Sequence, residues 1–184
     1  KENNLSIKKN SKSFYFASLF LSKKVFVNCS ILYSFCRNID DIADKKIKFK
    51  KKKLNQIISD LKNNKDCIKK RKINDIYTMI DKKLIDKNYL LELINGVSLD
   101  TKKVHLINVK ELIDYSYLVA GTVGIMMAKI LGNKNIYAFK YAVDLGIAMQ
   151  LTNIMIDILE DAKMDRIYLP KSWICLKPNQ ILKQ

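Results

Sequence analysis

Proline and glycine are nearly missing from this sequence, with 2 and 5 copies in 184 residues, against 48% apolar residues. Long stretches without a breaker exclude a fold of short strands joined by tight turns and predict long helices. The cysteines are few and unpatterned. Cys29, Cys36, Cys67 and Cys175 form no CxxC pair and no zinc spacing, which points to reduced thiols in a cytoplasmic protein and to no structural zinc. The longest uncharged run, Tyr115 to Ala128, is too short to cross a bilayer and is bounded by Asp114 and Lys129. The size suits one compact all-α domain spanning 1–184.

Arginine is the other scarcity. Of 34 basic residues only Arg37, Arg71 and Arg166 are arginines, in a chain of formal charge +16. Specific nucleic-acid recognition favours arginine forks and spaced aromatics. The densest basic run, Lys45 to Lys53, holds the single aromatic Phe49 and reads as a loop, so nucleic acid is not expected as a partner. A solvated lysine surface, or peripheral contact with the anionic inner face of a membrane, fits the charge better. Two of the three arginines also stand beside acidic clusters, Arg37 before Asp40 and Arg166 after Asp161.

What is present is a pair of polar ladders. At about 100° per residue of helix, Gln150, Asn153, Asp157 and Asp161 fall on one stripe of a helix running from Ile136 to Ala162. Most of the rest of that helix is apolar. A second helix, about Lys24 to Ala43, carries Tyr33, Arg37, Asp40 and Asp44 on one face, with Asp41 turned away. Carboxylates at i and i+4 have Cβ atoms about 5–6 Å apart, a spacing suited to shared divalent cations. Mg²⁺ takes oxygen ligands and commonly bridges one or two carboxylates to substrate phosphates. Two such helices facing across a cavity would hold a metal–diphosphate cluster; ordinary solvated helix ends are the plainer alternative, weaker for the ladder from Gln150 to Asp161 because Ile147, Met149, Leu151, Ile154, Met155 and Ile158 crowd it. A further helix is expected over Ser11 to Leu21, one or two amphipathic helices over Leu54 to Ile85, and another over Asn88 to Leu99. In the segment Glu111 to Leu131, the small residues Ala120, Gly121 and Gly124 would admit either a second helix or a ligand at close range.

The stretches SKSFYFASLFL, LYSFCRNIDDIAD, YLVAGTVG and LGIAMQLTNIMIDILEDAKMDRIYLP, in this order, resemble the squalene/phytoene synthases, and among them the bacterial phytoene and dehydrosqualene synthases. The resemblance implies an isoprenoid synthase fold, helices around a central apolar cavity, and Mg²⁺ (Mn²⁺ as a substitute) on Asp40, Asp44, Asn153, Asp157 and Asp161. Asn10, Ser11, Lys12, Ser13, Tyr33, Arg37 and Gln150 match positions that hold diphosphate or the allylic carbons. Tyr115 matches a tyrosine near the cationic intermediates, and Phe14, Val119, Ala120, Val123 and Gly124 match the lining of the prenyl tunnels. Asp40, Asp157, Tyr33, Arg37 and Tyr115 are thereby expected to serve catalysis.

The implied reaction joins two prenyl diphosphates head to head through a cyclopropylcarbinyl diphosphate. Two geranylgeranyl diphosphates would give phytoene, in carotenoid biosynthesis; a C30 squalene or dehydrosqualene synthase acting on farnesyl diphosphate is the alternative, with NADPH needed only for squalene. DDIAD alone would also suit a head-to-tail elongase or a terpene cyclase, and the lysines alone a basic helical module on a membrane surface. Three positions depart from the family: Asn10 replaces a common His, Ile156 a common arginine before Asp157, and Met164–Asp165 a basic residue and Gly before RIYLP. The family also continues well beyond YLP, so the chain is read as a fragment lacking the C-terminal third, expected to be unstable or inactive alone.

Overall fold

The computed structural model describes residues 16–17, 19–44, 49–63 and 71–174. In chain order the elements are α1 (Lys23–Asp44), α2 (Lys50–Lys62), α3 (Arg71–Asp81), α4 (Lys87–Leu99), β1 (Val104–His105), α5 (Val109–Ser116), a π-helical turn (Tyr117–Gly121), α6 (Thr122–Ile130), α7 (Ile136–Ile156), α8 (Ile158–Lys163), β2 (Arg166–Ile167) and a 3₁₀ turn (Lys171–Trp173). The all-α reading holds, apart from one two-residue parallel ladder. Among the described residues no helix is long and apolar enough to cross a membrane. The chain divides into two compact units, Lys1–Asn88 with Met126–Lys134, and Tyr89–Ile125 with Asn135–Gln184.

In the first unit α1 packs on α2 and α3. Its inner face repeats at helical spacing as Cys29, Leu32, Phe35, Ile39 and Ala43, all buried, and is met by Leu54, Ile57 and Leu61 of α2 and Ile76 and Met79 of α3. Each such large side chain contributes about 1.5–3 kcal/mol on burial. That burial corrects the loop expected over Lys45 to Lys53. Helix α2 begins at Lys50, after Phe49 in a left-handed conformation with φ 68°. Lysines 50 to 53 thus occupy a first turn, where the helix dipole disfavours cations, because Leu54, Ile57 and Leu61 need the helix. Lys50 relieves part of the conflict by donating from Nζ to the Ala43 carbonyl in the last turn of α1, at 2.6 Å, where a cation is favoured.

In the second unit α5 starts with a reciprocal cap. Asn108 accepts from the Glu111 amide at 2.9 Å, and Glu111 reaches back to the Ile107 amide at 2.9 Å. The segment from α5 to α6 is continuous but locally under-wound by the π turn, in which the Thr122 amide bonds to the Tyr117 carbonyl five residues back. Helix α7 lies against this turn at backbone contact. A Cβ on Gly124 would stand 2.1 Å from the Ala142 carbonyl oxygen, and one on Gly146 2.4 Å from that of Ala120. The small residues are therefore used by a neighbouring helix.

The long helix expected from Ile136 to Ala162 is two helices, α7 and α8, separated at Asp157 (φ −98°, ψ 12°). The hydrogen bonding survives the bend: Asp157 N donates to Asn153 O at 2.9 Å and Asp161 N to Asp157 O at 2.8 Å. Neither proline nor glycine marks the place. After α8 the chain turns through Asp165, with φ 59°, and β2 pairs with β1, Val104 opposite Arg166 and His105 opposite Ile167.

Candidate functional site

The first ladder occupies the C-terminal half of α1, in the first unit. Tyr33 and Asp40 are half-buried, whereas Arg37 and Asp44 are exposed. Asp41, which the ladder reading set aside, pairs with Arg37: Nε to Oδ1 is 3.3 Å. Its i+4 spacing from Arg37 is the signal that could have found it. Burial raises the Tyr33 phenol above its ordinary range; the Arg37 charge pulls it back, and the Asp40 carboxylate and Cys36 push it further up. Burial and the nearby Asp40 likewise raise the Cys36 thiol, so Cys36 stays a neutral thiol, free of any disulfide.

The second ladder runs down α7 into α8, in the second unit. Gln150 and Asp161 are half-buried, Asn153 and Asp157 exposed, and the backbone bonds across the bend keep Asn153, Asp157 and Asp161 stacked one turn apart. Beneath α8 lies a crevice of about 20 Å³, lined by Ile154, Asp161, Arg166 and Tyr168 among others, which has room for about one water and none for a prenyl chain. Among the described residues no three His, Cys, Asp or Glu side chains converge into a ready metal cage. The donors are oxygens throughout, two carboxylates in the first ladder and two with an amide in the second. Such sets fit a hard cation that completes its shell with water and phosphate oxygens.

Tyr115 sits deep in the second unit. It is buried with Val104, Leu112, Ile154 and Tyr168, and Val119 and Leu151 pack against this cluster. Its ring stacks on Tyr168 with centroids 4.7 Å apart. Both hydroxyls donate to one carboxylate, Tyr115 to Asp100 Oδ2 at 2.9 Å and Tyr168 to Asp100 Oδ1 at 2.7 Å, while Arg166 donates to the Asp100 carbonyl at 2.9 Å. Burial first, and then the Asp100 charge, raise both phenols far above their usual range. Each keeps its proton at any ordinary pH. Asp100, Tyr168 and the placement of Arg166 were missed by sequence reasoning; the aspartate is 15 residues from one tyrosine and 68 from the other, beyond any helical periodicity. Tyr117, two residues on, donates to Glu92 at 2.9 Å, and burial together with that bond pushes it up to about 12.

Val119 and Ala120 are half-buried, and the open side of Gly124 is filled by the Ala142 carbonyl. Asn10, Ser11, Lys12, Ser13 and Phe14 lie outside the described residues. A family model described as squalene/phytoene synthase matches residues 7–182. The chain belongs to the squalene/phytoene synthase family. It is similar to the 15-cis-phytoene synthase of Pantoea ananas, 29% identical over 178 residues that cover 89% of this chain and 57% of that protein. The chloroplastic phytoene synthase of Daucus carota is 30% identical, over 88% of this chain and 43% of that one. Among solved structures, a dehydrosqualene synthase in complex with ligand superposes with a TM-score of 0.83 at 32% identity, covering 93% of this chain and 60% of that one. The squalene synthase HpnC from Alicyclobacillus acidocaldarius gives 0.81 at 20% identity, covering 99% and 72%, a likeness of fold. The chain thus spans a little over half the length of the first of these phytoene synthases.

Two of the departures from the family pattern have visible settings. Asp165, where the family favours Gly, has φ 59°, a left-handed backbone that Gly adopts freely and Asp tolerates better than most residues. Ile156, where the family favours arginine, is 74% exposed beside Asp157, so the position is open to solvent and an arginine there would have room.

Proposed function

We propose that this protein joins two prenyl diphosphates head to head, with two geranylgeranyl diphosphates giving phytoene. The observation that carries the reading is the pair of ladders, each an amide-and-carboxylate or arginine-and-carboxylate stripe along one helix, in a member of this family. Asp40 and Asp44, and Asn153, Asp157 and Asp161, are the residues that would hold Mg²⁺. Bound there, the ion supplies charge neutralisation for a departing diphosphate.

The chain's own groups do the rest. Arg37 is held by Asp41 in an exposed pair, a class of interaction worth about 0–1 kcal/mol, so a phosphate draws its guanidinium away at little cost. Gln150, half-buried one turn before Asn153, offers an amide at the head of the second ladder. Tyr115 stays a neutral phenol with its proton committed to Asp100, which removes it as a general base near a carbocation and leaves at most one ring face, the one Tyr168 does not cover, to stabilise positive charge. A C30 product from farnesyl diphosphate is the second reading, favoured by the likeness to a dehydrosqualene synthase; NADPH belongs to it only if the product is squalene.

Incubating the full-length gene product with geranylgeranyl or farnesyl diphosphate and Mg²⁺, and analysing the hydrocarbon extract by mass spectrometry, tests both. A Mg²⁺-dependent C40 hydrocarbon is the expected outcome. A C30 product would move the assignment to the second reading, and no product from folded protein with either substrate would overturn the proposal.

A further inference from the structure

The first unit carries a groove that the ladders do not use. It measures about 540 Å³ and runs between the N-terminal half of α1 and α3, within the range of ordinary ligand pockets. Its floor is apolar, with Val27, Met79 and Leu84, and its rim holds Lys23, Lys24 and Lys82. At about 100° and 1.5 Å per residue, the α1 residues of the groove are centred roughly 140° around the helix from Tyr33, Arg37, Asp40 and Asp44 and lie toward its other end, so this is a separate surface. The three lysines are exposed, and none pairs with a carboxylate among the described residues. The one acidic lining residue, Asp75, is itself engaged. Three cations against one carboxylate leave the rim at +2 over an apolar floor.

We propose that this groove docks an anionic phospholipid at a membrane surface, its phosphate on Lys23, Lys24 and Lys82 and the head of an acyl chain on Val27, Met79 and Leu84. The charge complementarity favours a lipid over a water-soluble anion, because a free phosphate leaves the apolar floor unused. Just ahead of the groove, Phe16 and Phe20 are exposed and meet edge to face, centroids 5.6 Å apart. Phe20 lies no more than about 11 Å along the chain from Lys23. Exposed aromatics next to lysines are the composition of a membrane-interface segment.

The test is co-sedimentation of the full chain with phosphatidylcholine vesicles, with and without phosphatidylglycerol, at constant ionic strength. The groove variant Lys23→Glu/Lys24→Glu/Lys82→Glu is compared with Lys51→Glu/Lys52→Glu/Lys53→Glu, which removes the same charge near the far end of α1. That end is about 25 Å from the groove along the helix, well past the Debye length of about 8–10 Å. The groove reversal is expected to lower partition onto anionic vesicles at least about tenfold, the distal reversal less than about threefold. Val27→Asp, at a partly exposed position, is expected to weaken binding several-fold while leaving the circular dichroism unchanged. Equal losses from the two triple variants would make the attraction generic and overturn the proposal. So would equal binding to neutral vesicles, displacement by inorganic phosphate at matched ionic strength, or an unaltered Val27→Asp.

Discussion

Helix α1 buries Cys29, Ser30, Leu32, Ser34, Phe35, Ile39 and Ala43 among its 22 residues, whereas α7, at 21 residues, buries only Gly146 and Ile154. Both carry a polar ladder, but on different foundations. The ladder of α1 runs beside a packed apolar face, about 110° around the helix from it. That of α7 stands on a helix that is apolar nearly all round and leaves Tyr137, Tyr141, Leu145 and Met155 exposed, held where Gly124 and Gly146 bring backbones together. A ladder can thus be presented by side-chain burial or by glycine-mediated backbone contact, and the two should fail differently on mutation.

The largest effect is expected in α1. Phe35→Ala should cost about 3–5 kcal/mol in chemical denaturation, since the site is fully enclosed, while Ile156→Ala at the exposed end of α7 should stay within about 0.5 kcal/mol. Comparable losses would erase the distinction. Where α6 meets α7 the sensitive positions are the glycines: Gly124→Ala forces a methyl into the Ala142 carbonyl of α7 and should cost about 1–3 kcal/mol, seen as a lowered Tm.

A smaller, pH-dependent effect separates the tyrosines that brace the second unit. Tyr117, raised in the fold to about 12, binds its proton more tightly folded than unfolded. Its contribution is therefore complete below about pH 10, the unfolded value, and is lost as pH rises through the folded value. Stability curves from pH 9 to 12 should fall less steeply for Tyr117→Phe. Tyr115 and Tyr168 should ionise at 295 nm only as the protein unfolds. The smallest effect is expected at Asp165→Gly. Relief of a left-handed residue, about 1–2 kcal/mol at most, is offset by the about 0.5–1 kcal/mol entropy cost of glycine and by loss of the exposed Lys103 pair at 3.1 Å. The net change in denaturant midpoint should be near zero.

The helices from Lys24 onward and the spacing of both ladders were legible because they rest on i, i+3 and i+4 spacing and on burial of regular apolar faces; the helix expected over Ser11 to Leu21 lies mostly outside the described residues. The start of α2 was misread: its lysines look like a loop until Leu54, Ile57 and Leu61 are seen to need a helix. The bend at Asp157 left no trace, since the i to i+4 bonds run through it and no breaker residue stands there. The Asp100 cluster was hidden for another reason. A carboxylate shared by residues 15 and 68 positions away is a tertiary fact with no local period. The small residues announced a close approach, but only the structure chose a helix as the neighbour.

The central claim is that the two ladders serve one diphosphate chemistry. A double-mutant cycle of Asp40→Asn and Asp157→Asn, read as Mg²⁺-dependent release of inorganic diphosphate by the full-length protein, tests it most directly. Each single variant is expected to lose about 10²–10³-fold, and the double variant little more than the worse single one, as for groups acting as a unit. Fully multiplicative losses, or a ladder whose mutation leaves the rate unchanged, would contradict the account.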